Sequence, residues 1–172
     1  LEQDIRQIHA EGMKAYVMLP VVFREKTRER YEKRLNFWKE LDTDGYVIRN
    51  LEEYTFLKEN DLLKGMITDH NVYTFNKRSR EYWRNAGTVW QTNPLELNAR
   101  ELKEISAADS IQLIYGRYPM MVTAGCIHKT LNRCKGVPEQ WNLKDRYRKV
   151  FPVKNYCRDC YNVIYNSQPL YL

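Results

Sequence analysis

Apolar residues along the first 120 positions switch between two periods. Short apolar runs, the mark of strands buried on both faces, alternate with longer stretches whose apolar residues recur every three or four positions. Residues 1–11 read as a helix with Ile5 and Ile8 on one face, 13–19 (MKAYVML) as a buried strand, and 26–41 as a helix carrying Tyr31, Leu35, Trp38 and Leu41. Residues 45–49 (GYVIR) form the next strand. A helix then starts at Leu51, capped by Asn50 with Glu53 three residues on, a capping-box pattern. Residues 64–68 (KGMIT) make a strand ending at Asp69, and a helix over 77–86 stops at Gly87. Residues 88–92 (TVWQT) are a strand, Asn98 and Glu101 open another helix, and 111–115 (IQLIY) is the fifth strand. A sixth short strand is expected over 119–123.

Strands alternating with helices imply an α/β fold, a parallel sheet with helices outside it. Two architectures meet that description: an open doubly wound sheet, and an incomplete (β/α)8 TIM-type barrel. No glycine-rich fingerprint follows any strand, which disfavours a dinucleotide-binding sheet. A chain that opens on a helix with no strand before it fits a cut through a repeating barrel. The expectation is therefore that residues 1–123 are the C-terminal part of a (β/α)8 barrel. Its open strand edges need the missing N-terminal half, or another chain, to cover them. Residues 124–172 change character and read as a loop-rich, cysteine-containing basic extension packed on the barrel.

That extension holds all four cysteines, Cys126, Cys134, Cys157 and Cys160, spaced C-x7-C-x22-C-x2-C. Four thiols in one short segment are enough to ligate zinc or an iron–sulfur cluster. The C-x7-C half does not match the paired knuckles of a zinc ribbon, which tilts the reading toward iron–sulfur. Two disulfides are the alternative, but disulfide scaffolds are small and loop-rich, unlike the first 120 residues. The net charge of +6 lies wholly between Cys126 and Cys160, where nine basic residues face three acidic ones. Such a segment attracts polyanions such as RNA, or offsets thiolate charge around a metal. No apolar run approaches the roughly 20 residues of a membrane span and no signal peptide is visible, so a cytoplasmic protein without a membrane partner is expected.

In α/β folds the chemistry gathers where strands end at their carboxyl side. Those positions supply Asp69, Glu96 and Arg117 as candidate catalytic residues: two acids, and a cation after Gly116 that suits an anion. Asn50 and Asn98 are accounted for as helix caps. His70 and His128 are read first as structural, with a ligand or supporting role as the second choice. Zinc-protease, serine-hydrolase and phosphate-loop signatures are missing from the sequence.

The run Tyr115-Gly116-Arg117-Tyr118-Pro119-Met120-Met121 followed by Cys126 resembles a motif of the collagenase-like protease family, peptidase family U-thirty-two. Residues 44–50, 69–76 and 94–98 agree with it, as do Cys157-x-x-Cys160-Tyr161-Asn162 and Pro169-Leu170. The resemblance implies a bacterial barrel protein, by name a putative protease and hydrolase. It also implies relatives that are oxygen-independent hydroxylation factors acting on ribosomal RNA, transfer RNA or ubiquinone precursors. In those, four cysteines hold a four-iron four-sulfur cluster, and prephenate is the implied oxygen source. Carried over here, the cluster ligands are Cys126, Cys134, Cys157 and Cys160, with zinc as the alternative metal. RNA modification then becomes the expected activity. The alternatives are a true peptidase acting on collagen-like or unfolded polypeptides, and a binding module whose metal is structural.

Overall fold

The computed structural model describes residues 1–171. The chain divides into two compact units, Leu1–Gln112 and Leu113–Leu172. The first contains α1 (Glu2–Ala10), β1 (Tyr16–Met18), α2 (Glu25–Glu32), α3 (Leu35–Glu40), β2 (Gly45–Ile48), α4 (Leu51–Glu59) and β3 (Met66–Thr68). A 3-10 turn (His70–Val72) follows, then α5 (Lys77–Asn85), β4 (Thr88–Thr92), α6 (Ala99–Ile105) and β5 (Ser110–Ile111). The five strands form one parallel sheet in the order β1-β2-β3-β4-β5, so spatial order follows chain order without reversal.

The two faces of this sheet differ. Val17, Tyr46, Ile48 and Met66 belong to a core that also takes in Ile5, Phe23, Trp38, Phe56, Leu57 and Trp83 from helices and loops. Each fully buried apolar side chain of this kind contributes about 1.5–3 kcal/mol. On the other face, strand register lines up Met18, Val47, Ile67 and Trp90 in one row, with Met18 and Trp90 exposed. At the start of β2 and β3 the backbones touch: a methyl group on Gly45 would overlap the Gly65 carbonyl, and Gly65 itself sits at φ +48°. Both positions therefore require glycine.

The helix expected over 26–41 is instead two, because the chain leaves helical geometry at Arg34 (φ −126°, ψ 28°). Tyr31 and Trp38, on either side of that break, stack with ring centroids 4.7 Å apart. The fifth strand is also shorter than its apolar run: only Ser110–Ile111 joins the parallel sheet.

The second unit corrects the reading of the tail as loop-rich. It contains β6 (Tyr115–Gly116), β7 (Pro119–Thr123), α7 (Ile127–Thr130), β8 (Gln140–Lys144), β9 (Val150–Tyr156), β10 (Tyr161–Tyr165) and β11 (Leu170–Tyr171). Four of these strands make an antiparallel sheet in the order β7-β10-β9-β8, and β6 pairs with β11. The sixth strand expected at 119–123 exists as β7, but it pairs with β10 rather than with the parallel sheet. Polar and apolar side chains alternate along β8 (QWNLK), as a sheet with two unlike faces requires. Among the described residues no helix is long and apolar enough to cross a membrane.

Candidate functional site

In the first unit, the polar groups cluster where β2 and β3 end. Ile48 is in register with Thr68, so Arg49 and Asp69 leave neighbouring strands side by side. Asp69 accepts hydrogen bonds from His70 Nδ1 (2.9 Å) and Asn71 Nδ2 (2.8 Å). Burial pushes its carboxyl up, but these bonds outweigh it and hold Asp69 below its ordinary value. Asn50 caps α4 as expected, its Oδ1 accepting from Glu53 N at 2.9 Å. Glu53 does not close the box onto Asn50. Its Oε2 accepts from Arg49 N at 2.6 Å, and the whole side chain is 0% exposed. The other oxygen, Oε1, has no hydrogen-bond partner among the described residues and lies 3.9 Å from Arg49 Nε. Burial pushes the Glu53 carboxyl up to about 7, with the Asp69 charge adding to the effect and the Arg49 N–H opposing it. This edge therefore holds one firmly ionised acid beside one poised near neutrality.

Glu96 follows β4 in an exposed turn, just before the Asn98 capping box that opens α6. A buried network joins α5 to the residues that follow β4 and to β5. Arg80, only 1% exposed, donates to Asn93 Oδ1 (3.0 Å) and Ser110 Oγ (2.7 Å) and lies 3.5 Å from Asp109. Asp109 takes two bonds from Arg84 (2.7 and 2.8 Å), which hold its carboxyl down at about 2. These contacts pin α5 to the end of β4 and to β5.

Arg117 belongs to the second unit. Its Nη1 donates to the carbonyls of Asn166 (3.1 Å) and Ser167 (2.7 Å), so the guanidinium clasps the segment after β10.

The four cysteines sit at one end of the antiparallel sheet. Cys157 and Cys160 occupy the turn between β9 and β10, with Cys160 at φ +54°. Thr123, the last residue of β7, is in register with Asn162 near the start of β10, so Cys126 arrives at that same end. Asn155 N donates to Glu139 O, and Cys157 Sγ donates to Val137 O at 2.9 Å, which brings the loop after Cys134 to the turn. All four thiols are free. Burial pushes the Cys157 thiol up, and Cys134, Cys126 and Cys160 each add to that from nearby. Among the described residues, no three His, Cys, Asp or Glu side chains stand as a formed metal site. The donor set still fits a thiolate-ligated metal: four free thiols within electrostatic reach, two of them on a hairpin turn.

Beneath them runs a buried amide chain that the sequence reading missed. Trp141 Nε1, a donor only, bonds Asn155 Oδ1 at 2.8 Å, which turns Asn155 Nδ2 toward His128 Nδ1 (3.0 Å). His128 thus accepts at Nδ1 and packs against Trp141 with the rings tilted (centroids 4.8 Å apart), rather than facing the thiols through that nitrogen. Asn162, 0% exposed, donates to Asn155 Oδ1 and accepts from Ile127 N at 2.7 Å. Asn162 thereby ties the residue after Cys126 to the strand that begins after Cys160. Its signal in the sequence was an asparagine inside an otherwise apolar strand, YNVIY.

Compared with protein-family models, characterised proteins and solved structures, the chain matches none.

Proposed function

We propose that this chain is part of an iron–sulfur-dependent, oxygen-independent hydroxylation factor acting on ribosomal or transfer RNA, of the kind its motifs resemble in the collagenase-like protease family. The observation that carries the reading is the convergence of four free thiols at one end of a sheet in a strongly basic segment. Thiolates from Cys126, Cys134, Cys157 and Cys160 would hold the cluster, which supplies one-electron chemistry when bound. Ligation replaces the protons that Cys157 and Cys160 now share with the carbonyls of Val137 and Cys157. The Asn162 bridge holds the Cys126 segment to the hairpin, so the protein positions the donors rather than leaving the metal to gather them.

The parallel sheet fits the C-terminal part of a (β/α)8 barrel. Consecutive strands are neighbours throughout, as in a barrel, and the row Met18, Val47, Ile67 and Trp90 would face its interior. The polar edge where β2, β3 and β4 end would then open at the barrel mouth. There Asp69 and Glu96 are the candidate acids for a small co-substrate, with prephenate the expected oxygen source. Glu53 lies buried beside Arg49 at the same edge, its carboxyl held toward the protonated form by burial.

Anaerobic reconstitution with iron and sulfide tests this reading. About four irons per chain with broad visible absorption, lost in Cys126→Ser, supports it. Roughly one zinc per chain without colour replaces it with a structural metal site. Digestion of casein by metal-free protein favours the peptidase reading instead.

A further inference from the structure

The hairpin joining β8 to β9 carries Lys144, Arg146, Arg148 and Lys149, all exposed, around one aromatic ring, Tyr147, which is 69% exposed. The one acid at the tip, Asp145, is turned into the loop. Its Oδ1 accepts from Tyr147 N and Lys149 N at 2.8 Å each. Asp145 N donates to Lys149 O, Arg148 N donates to Asp145 O, and Arg148 adopts φ +62°. These bonds give the tip a defined conformation, so its charges and its ring are arranged before any partner arrives. The Arg146 guanidinium already lies 4.8 Å from the Tyr147 ring centroid.

The same strands repeat the combination. Lys154 lies 5.2 Å from the Tyr156 ring centroid, and a cavity of about 380 Å³ is lined by Arg117, Gln140, Lys154 and Tyr165. Gln140 pairs with Lys154 four rungs from the Lys144–Val150 pair at the tip. At roughly 3.3 Å per residue, tip and cavity stand about 13 Å apart along the hairpin.

We propose that the β8–β9 hairpin is a binding element for single-stranded RNA, with Arg146 and Arg148 on phosphates, an unpaired base stacked on Tyr147, and the strand running on toward the Lys154 cavity. An acidic peptide would use the cations but has no need of the ring. A duplex would meet the cations with its bases already stacked. Unpaired bases use both, since every base presents a face to an aromatic ring. The inference rests on the RNA part of the reading above and adds which element binds and in which form.

The test is fluorescence anisotropy of the whole chain with a labelled mixed-sequence single-stranded RNA, repeated across a salt series. Tyr147→Ala is expected to weaken binding roughly tenfold or more, and Tyr147→Phe to stay near wild type. The double variant Arg146→Ala/Arg148→Ala is expected to flatten the slope of log affinity against log salt by about 1.4, at roughly 0.7 for each phosphate contact. All these side chains are exposed, and circular dichroism checks that the variants stay folded. If wild type binds and every variant binds equally well, the hairpin assignment falls while RNA as substrate stands. If wild type binds no RNA under any salt condition, the RNA reading itself falls and takes the hairpin with it. Equal affinity for duplex, unaffected by Tyr147→Ala, removes the stacking role.

Discussion

Glu53→Gln isolates the carboxyl that burial holds near neutrality. The native pKa is raised from 4.5 to about 7, so between those values the folded state holds a proton that the unfolded state releases. The stabilising contribution is complete below pH 4.5 and is lost as pH rises through about 7. At 1.36 kcal/mol per tenfold change in proton activity, the native state loses roughly 2–3 kcal/mol between pH 5 and pH 8 through this group alone. Glutamine keeps an oxygen to accept the Arg49 N–H but cannot ionise. Urea unfolding, followed by the fluorescence of buried Trp38 and Trp83, measures stability at both pH values for wild type and variant. The expected result is a pH 5 to pH 8 loss smaller in the variant by about 2–3 kcal/mol, whatever constant offset the substitution adds. An identical loss in the two proteins would falsify the assignment and place the ionisation elsewhere.

Arg80→Met leaves Asn93 Oδ1 and Ser110 Oγ without their buried donor, and a fall of about 2–4 kcal/mol in unfolding free energy is expected from the urea midpoint. Asp109→Asn removes the charge and one of the two oxygens that accept from Arg84, with an expected cost of about 1 kcal/mol at pH 7 after screening of the partly exposed Arg84. Because the Asp109 carboxyl is depressed to about 2, its contribution is present above its ordinary value of 3.8 and vanishes as pH falls through 2. Acid titration of both proteins by circular dichroism should therefore show the gap closing at the acid end. Asn162→Ala breaks the bridge between the Cys126 segment and β10. It is expected to destabilise the second unit by about 2–3 kcal/mol and to speed iron release from reconstituted protein to a chelator, while Gln168→Ala, on the exposed loop, leaves both unchanged.

The parallel sheet was legible because its strands are short apolar runs bounded by caps that act locally. Asn50, Asn76 and Asn98 all accept from the first turns of their helices. The capping pattern also misled, since it explained Glu53 and so hid that its carboxyl is sealed from water. Arg80 was hidden for a related reason. It lies three residues before Trp83 on the inner face of α5, where an arginine is unexpected until Asn93 and Ser110 are seen to receive it. The tail read as loop because alternation over stretches as short as QWNLK is a weak signal. Its strands are held by distant partners, Tyr115 by Tyr171 and Pro119 by Tyr165, a separation no local pattern encodes.

The pairing of β7 with β10 also sets an order of assembly. The hairpins β8–β9 and β9–β10 close short loops, whereas β7 must cross from Thr123 to Asn162 to find its place. Local contacts form sooner than distant ones. Cys157 and Cys160 are thus brought together first, on a nascent hairpin, and Cys126 joins them only when the outer strand docks. On the iron–sulfur proposal, a metal reaching the refolding chain would meet the two hairpin thiols before all four, so the timing of its delivery, as well as affinity, would govern which metal the site takes.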